Sequence, residues 1–110
     1  MISVRIVTGK EGVLILAEAE GHAGAGRFGS DPVCAAVSVL FRTTAAVLQA
    51  KVPSVSVRSA GRGSLRICAE GSGAAGERFC LLYAAEFLLA GISSLAEEFP
   101  GYVELRREQT

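Results

Sequence analysis

The sequence predicts an α+β fold: a single domain in ββαββαβ order, with a mostly antiparallel sheet packed against two helices. Three observations lead there. Short stretches of alternating apolar and polar residues recur near the start, the middle and the end of the chain, the period of half-buried strands. Two long apolar-rich stretches, Val33–Ala50 and Glu77–Phe99, carry helix punctuation at their ends. The turns between successive alternating stretches are too short for a parallel crossover, so those strands pair antiparallel. A chain of 110 residues suffices for one modest core, and residues 1–110 are read as one domain.

Ile2–Val7 and Val13–Glu20 are the first two strands, separated by a turn over Thr8-Gly9-Lys10-Glu11-Gly12. In the second, Leu14, Leu16 and Glu18 alternate with Val13, Ile15, Ala17 and Ala19. A glycine-rich loop follows. The first helix opens at Asp31-Pro32, because aspartate is a preferred N-cap and proline at the first helical position gives up no helical bond. It closes near Lys51-Val52-Pro53. From Val33 to Phe41 it is apolar apart from Ser38, which predicts burial on most sides. Val55–Ser59 and Ser64–Ala69 form a hairpin through Ala60-Gly61-Arg62-Gly63. The second helix, with Gly91 as the candidate bend, stops at Pro100-Gly101, and Tyr102–Arg106 is the last strand. A weak echo links Ala19-Glu20-Gly21 to Ala69-Glu70-Gly71, with Ser72 where the first copy has His22.

Composition narrows the function. Half of the residues are apolar and the mean hydropathy is +0.40, and this surplus predicts self-association. Basic and acidic residues balance at 11 each, so no basic field exists to hold the phosphates of a nucleic acid. Three cysteines without CxxC spacing argue against a disulfide framework and for a reducing compartment. They also lack, with the single histidine, the paired spacing of a zinc site. No signal peptide is evident at Met1–Thr8, and the uninterrupted apolar runs Phe79–Ala85 and Phe87–Ala90 fall short of the ~20 residues a membrane span needs. A cytoplasmic protein is expected.

The chemistry concentrates in Gly21–Ser38. His22 precedes Cys34 by twelve positions, and the two stand on the rims of one glycine-rich loop. A thiol attacks only after losing its proton, and a helix N-terminus and a neighbouring imidazole both favour that loss. Cys34 is the third helical residue after the Asp31 cap, near unsatisfied amides. Asp31 itself opposes the thiolate by its charge, or instead orients the His22 ring; the residues leave both roles open. Ser38 lies one turn after Cys34 on the same face, as a donor to the site or bonded back to its own helix.

Taken singly, Cys34 reads as a small packing residue and His22 as an ordinary polar one; their pairing favours chemistry. Cys68 and Cys80 read as packing residues. The pattern Gly24-Ala25-Gly26-Arg27-Phe28-Gly29 matches a dinucleotide fingerprint, but no acidic residue lies between Asp31 and Glu70 to take a ribose hydroxyl. The match at Gly71–Gly76 meets Glu97 and Glu98 only inside a helix. Gly21, Ala23, Gly24, Gly26 and Gly29 therefore read as a flexible loop that opens for a peptide and closes over it.

Gly21-His22-Ala23, Asp31 and Val33-Cys34-Ala35-Ala36-Val37-Ser38 resemble the signature of the ribosomal-processing cysteine protease family Prp, and the resemblance extends through nearly the whole chain. Departures fall at Ser30 and Pro32, where a lysine-like and a β-branched residue are expected, and at Gly26-Arg27-Phe28. The resemblance implies an endopeptidase that removes a short N-terminal extension from protein twenty-seven of the large ribosomal subunit. It implies cutting after a phenylalanine-containing stretch, no metal or other cofactor, and a homodimer. By position, Cys34 is then the nucleophile, His22 the general base, Asp31 a supporting residue at the helix cap, and Ser38 a lining residue. The Cys34 amide with a neighbouring amide is the expected oxyanion hole, and an apolar groove beside the first helix is expected to take phenylalanine side chains. The competing reading is a non-catalytic dimeric ribosome-assembly module with Cys34 buried.

Overall fold

Alternation along the strands sorts the side chains into two faces, and the sheet is built on that sorting. The computed structural model describes residues 1–22, 24, 31–61, 63–69 and 74–110. The strands are β1 (Ile2–Thr8), β2 (Leu14–Gly21), β3 (Ser56–Arg58), β4 (Ser64–Cys68) and β5 (Val103–Gln109); the helices are α1 (Pro32–Lys51) and α2 (Ala75–Glu98). They follow one another in the expected ββαββαβ order and form one sheet, β3-β4-β2-β1-β5. β1 runs parallel to β5, and the pairs β1–β2, β2–β4 and β3–β4 are antiparallel.

Register makes each face continuous. Leu65, Ala19, Val4 and Leu105 stand opposite one another on the inner face, beside the row Val57, Ile67, Ala17 and Ile6. Offset by one residue, Arg58, Arg66, Glu18, Arg5 and Arg106 form a charged row on the outer face. There Glu18 binds Arg5 at 3.2 Å and Arg66 at 2.7 Å, and Glu108 binds Arg5 at 2.6 Å. β2 carries a bulge: the pairing steps from Val7↔Leu16 to Thr8↔Leu14, leaving Ile15 over. The extra residue shifts the alternation, which is why Leu14 and Ala17, three apart, are both buried. The expected turn between β1 and β2 is a 3-10 turn at Lys10–Gly12, with Glu11 at φ 63°.

Both helices contribute to one core with the inner face. α1 buries Val33, Val37, Phe41, Thr44, Ala45 and Leu48, a single stripe. Its first turns are therefore not buried on most sides as expected; Val39 is 52% exposed and Ala35 is exposed. α2 buries Leu81, Ala85, Leu88 and Ile92. It runs unbroken through Gly91, the expected bend. A Cβ there would lie 2.9 Å from Leu40 Cδ1, so the glycine serves close packing of the two helices. By length and composition alone both helices are apolar enough to cross a membrane; the buried stripe of each belongs to the one hydrophobic core.

Candidate active site

The site forms where β2 ends and α1 begins. Gly21 is the last residue of β2, paired with Ile2, rather than part of a loop as expected. It holds φ 102°, and a Cβ on it would stand 2.5 Å from the Met1 carbonyl oxygen, so the close approach of the two strand ends requires glycine. His22 follows at once. Its carbonyl accepts a hydrogen bond from the Met1 amino group at 2.6 Å, while the Gly21 amide donates to the Gly63 carbonyl at 2.8 Å. The residue is thus fixed from two sides of the sheet.

Across the cleft, Asp31 is buried and starts α1. One carboxylate oxygen accepts from the Val33 amide at 2.9 Å and from the Cys34 amide at 3.1 Å, and the Asp31 carbonyl accepts from Ala35. The capping role left open by the residues is therefore occupied. The same bonds correct one expectation. The Cys34 amide, expected to serve an oxyanion together with a neighbouring helix-start or loop amide, already donates to Asp31. Cys34 itself is half-buried, packed against the core on one side and lining the cleft on the other.

His22, Asp31, Cys34 and Ser38 all line one cleft of about 870 Å³. Ile2, Ala19, Val37, Phe41 and Leu65 make its floor apolar, and Glu20 and Arg42 bring charge to it. Its far wall includes Ser59, Gly63 and Ser64 from the β3–β4 turn, a contribution that the sequence reading did not find. The only signal was the pair of glycines in Ala60-Gly61-Arg62-Gly63, which read as hairpin chemistry. Strand pairing puts them here: Ser64 stands opposite Glu20, so Gly63 falls beside Gly21. Of the loop residues singled out, Gly24 is exposed at φ 73° and lines the cleft. Ala23, Gly26 and Gly29 lie outside the described residues, as do Glu70, Gly71 and Ser72 of the second echo.

Cys68 and Cys80 are half-buried. Among the described residues no group of His, Cys, Asp and Glu is placed to hold a metal ion. The chemistry this cleft can support is acyl transfer: a thiol at a capped helix start, an imidazole on the opposite rim, and an apolar trough for an extended chain.

A five-stranded sheet backed by two helices, with a cysteine and a histidine lining one apolar cleft, offers the groups that a thiol-dependent peptidase uses. The model of the family cysteine protease Prp matches residues 1–104, and the chain belongs to that family.

Solved structures agree in fold. SMU.848 from Streptococcus mutans is 29% identical, with a TM-score of 0.78, covering 100% of this chain and 96% of that one. The essential ribosomal processing protease Prp from S. aureus, in complex with a covalently linked product peptide, is 21% identical with a TM-score of 0.81. The same protease with a substrate peptide is 19% identical with a TM-score of 0.76. Each of these two comparisons covers 98% of this chain and 100% of the other. No match was found among curated proteins.

Proposed function

We propose that this protein is the endopeptidase that removes a short N-terminal extension from protein twenty-seven of the large ribosomal subunit. The observation that carries the reading is the meeting of His22 and Cys34 on one apolar cleft in a chain of the cysteine protease Prp family. Support for a ribosomal substrate comes from S. aureus Prp, described as a ribosomal processing protease and held with substrate and product peptides.

In the proposed reaction the Cys34 thiolate attacks the scissile carbonyl, and a C–S bond forms as the C–N bond breaks. His22, carrying the proton taken from the thiol, gives it to the departing amine. Water then adds to the thioester with His22 as base, releasing the acid and regenerating the thiol. Asp31 holds the start of α1 beneath the sulfur, and Ser38 lines the path. The apolar floor takes phenylalanine side chains of the extension, each contributing ~1.5–3 kcal/mol when buried. No cofactor enters the reaction.

The proposed setting is the cytoplasm, as a homodimer, with no direct nucleic-acid or membrane partner. Balanced charge supports the absence of a phosphate-binding surface. The outward faces of the helices support self-association: Phe79, Tyr83 and Phe87 of α2 are 64%, 70% and 51% exposed at four-residue spacing, and Val39 and Val47 of α1 are more than half exposed.

The deciding experiment incubates the purified protein with a synthetic peptide spanning the extension junction and identifies products by mass spectrometry. Cleavage by the wild-type protein and none by Cys34→Ala is the expected result. An intact peptide with the wild-type protein favours the non-catalytic assembly module instead.

A further inference from the structure

We propose that Gly63, in the β3–β4 turn, is a positioning residue that sets the place of the His22 ring. This rests on the reading of His22 as the catalytic base. Gly63 holds φ 77°, and its carbonyl accepts from the Gly21 amide at 2.8 Å, tying the turn to the residue before His22. A Cβ on Gly63 would stand 3.1 Å from both Cε1 and Nε2 of His22, and 3.0 Å from the Gly21 carbonyl oxygen. The ring edge that would exchange protons therefore rests against bare backbone, at a distance only glycine leaves free. His22 is exposed, and the turn forms one wall of its ring. Ser59 braces that turn from inside, its hydroxyl lying 3.0 Å from the Gly61 carbonyl oxygen and 2.9 Å from that of Ser64.

Gly61 provides a matched control. It sits in the same turn at φ 100°, so alanine strains it as it strains Gly63, yet a Cβ there meets nothing within 4 Å. Comparing the two substitutions separates the cost of a left-handed backbone from the displacement of the ring.

His22 is the only histidine, so its Cε1 proton gives a single NMR signal in any variant, readable with no substrate present. The experiment records that signal in wild type, Gly61→Ala and Gly63→Ala, and measures kcat and KM on the extension peptide. Expected are a wild-type His22 chemical shift in Gly61→Ala and a displaced one in Gly63→Ala. The kcat of Gly63→Ala falls on the order of tenfold or more below that of Gly61→Ala, with the loss in kcat rather than KM. A Gly63→Ala protein whose His22 signal and kcat match those of Gly61→Ala overturns the proposal. Should Gly63→Ala not fold, Ser59→Ala decides: it loosens the turn without touching the ring, and an unchanged His22 signal overturns the proposal. The NMR arm needs no turnover. A wild-type protein that cleaves nothing therefore overturns the protease reading, and with it the catalytic purpose of the wall, while the chemical shift still reports whether Gly63 places the ring.

Discussion

The Asp31 carboxylate accepts a hydrogen bond from the Cys34 amide at 3.1 Å, so the group that starts α1 and the proposed nucleophile are physically joined. One side chain thereby does two things. It orders the helix turn that carries the thiol, and it brings a carboxylate charge beside that turn.

Separating those effects is straightforward. Asp31→Ala loses the cap and is expected to cost about 1 kcal/mol, read by denaturant unfolding. Asp31→Asn keeps a capping oxygen and removes the charge. It is expected to raise the rate at which iodoacetamide alkylates Cys34 at neutral pH, followed by peptide mass mapping. An Asn variant alkylated more slowly than wild type means that the carboxylate favours the thiolate through another contact.

Removing either proposed catalytic side chain is expected to abolish cleavage without unfolding the protein. His22 is exposed and Cys34 half-buried, so neither alanine opens a large cavity. Circular dichroism melts check the fold, and product analysis checks activity. Alkylation of Cys34 is expected to exceed that of Cys68 and Cys80 in wild type and to slow in His22→Ala.

The cleft floor doubles as core. Phe41 is 1% exposed, and Phe41→Ala is expected to cost ~3–5 kcal/mol. Ala35, beside Cys34 on the cleft and exposed, allows a cleaner test of substrate binding. Ala35→Trp is expected to leave stability within about 0.5 kcal/mol and to raise KM for the peptide. An unchanged KM places the substrate elsewhere.

Acid is expected to weaken the fold through the outer face of the sheet. Partial burial pushes the Glu18 carboxyl up, but hydrogen bonds from Arg66 and Arg5 outweigh it and hold the group below its ordinary 4.5. The Arg5 guanidinium likewise holds Glu108 down. These carboxyls bind protons less readily folded than unfolded. Their contribution is full above pH 4.5 and is lost as pH falls below it, through the lowered folded-state value. Solvent screening keeps the Glu18 contribution to ~1 kcal/mol or less. Thermal unfolding between about pH 7 and about pH 3 is expected to show a shallower decline in Glu18→Gln than in wild type.

The outer helical face predicts an oligomer that charge can break. Phe79→Glu with Phe87→Glu is expected to shift the sedimentation of the protein to that of a monomer while leaving its melting cooperative, since both rings are more than half exposed. A wild-type protein that sediments as a monomer ends the dimer reading.

Much of the architecture could be read directly from local patterns. Asp31-Pro32 marks a helix start in any context, and the alternation of β1 and β4 marks two-faced strands, because capping and pleat are properties of neighbouring residues. Where a tertiary contact overrides the pattern, reading failed. The Ile15 bulge inverts the phase of β2, Gly91 reflects the proximity of Leu40 rather than a bend, and α1 exposes Val39 because only one stripe of the helix is buried in the core.

The sequence by itself determined the order of elements, the capped helix start at Asp31, and His22 and Cys34 as the residues to watch, all features spanning a few positions or one short loop. Only the tertiary structure decided what surrounds them. Pairing of β2 with β4 carries Gly63 across 41 positions to the edge of the His22 ring, and Asp31 takes the amide that an oxyanion was expected to use. The physical reason is that chain neighbours are written in the sequence, whereas strand register and the sharing of hydrogen-bond donors are settled only when the whole sheet closes on its core.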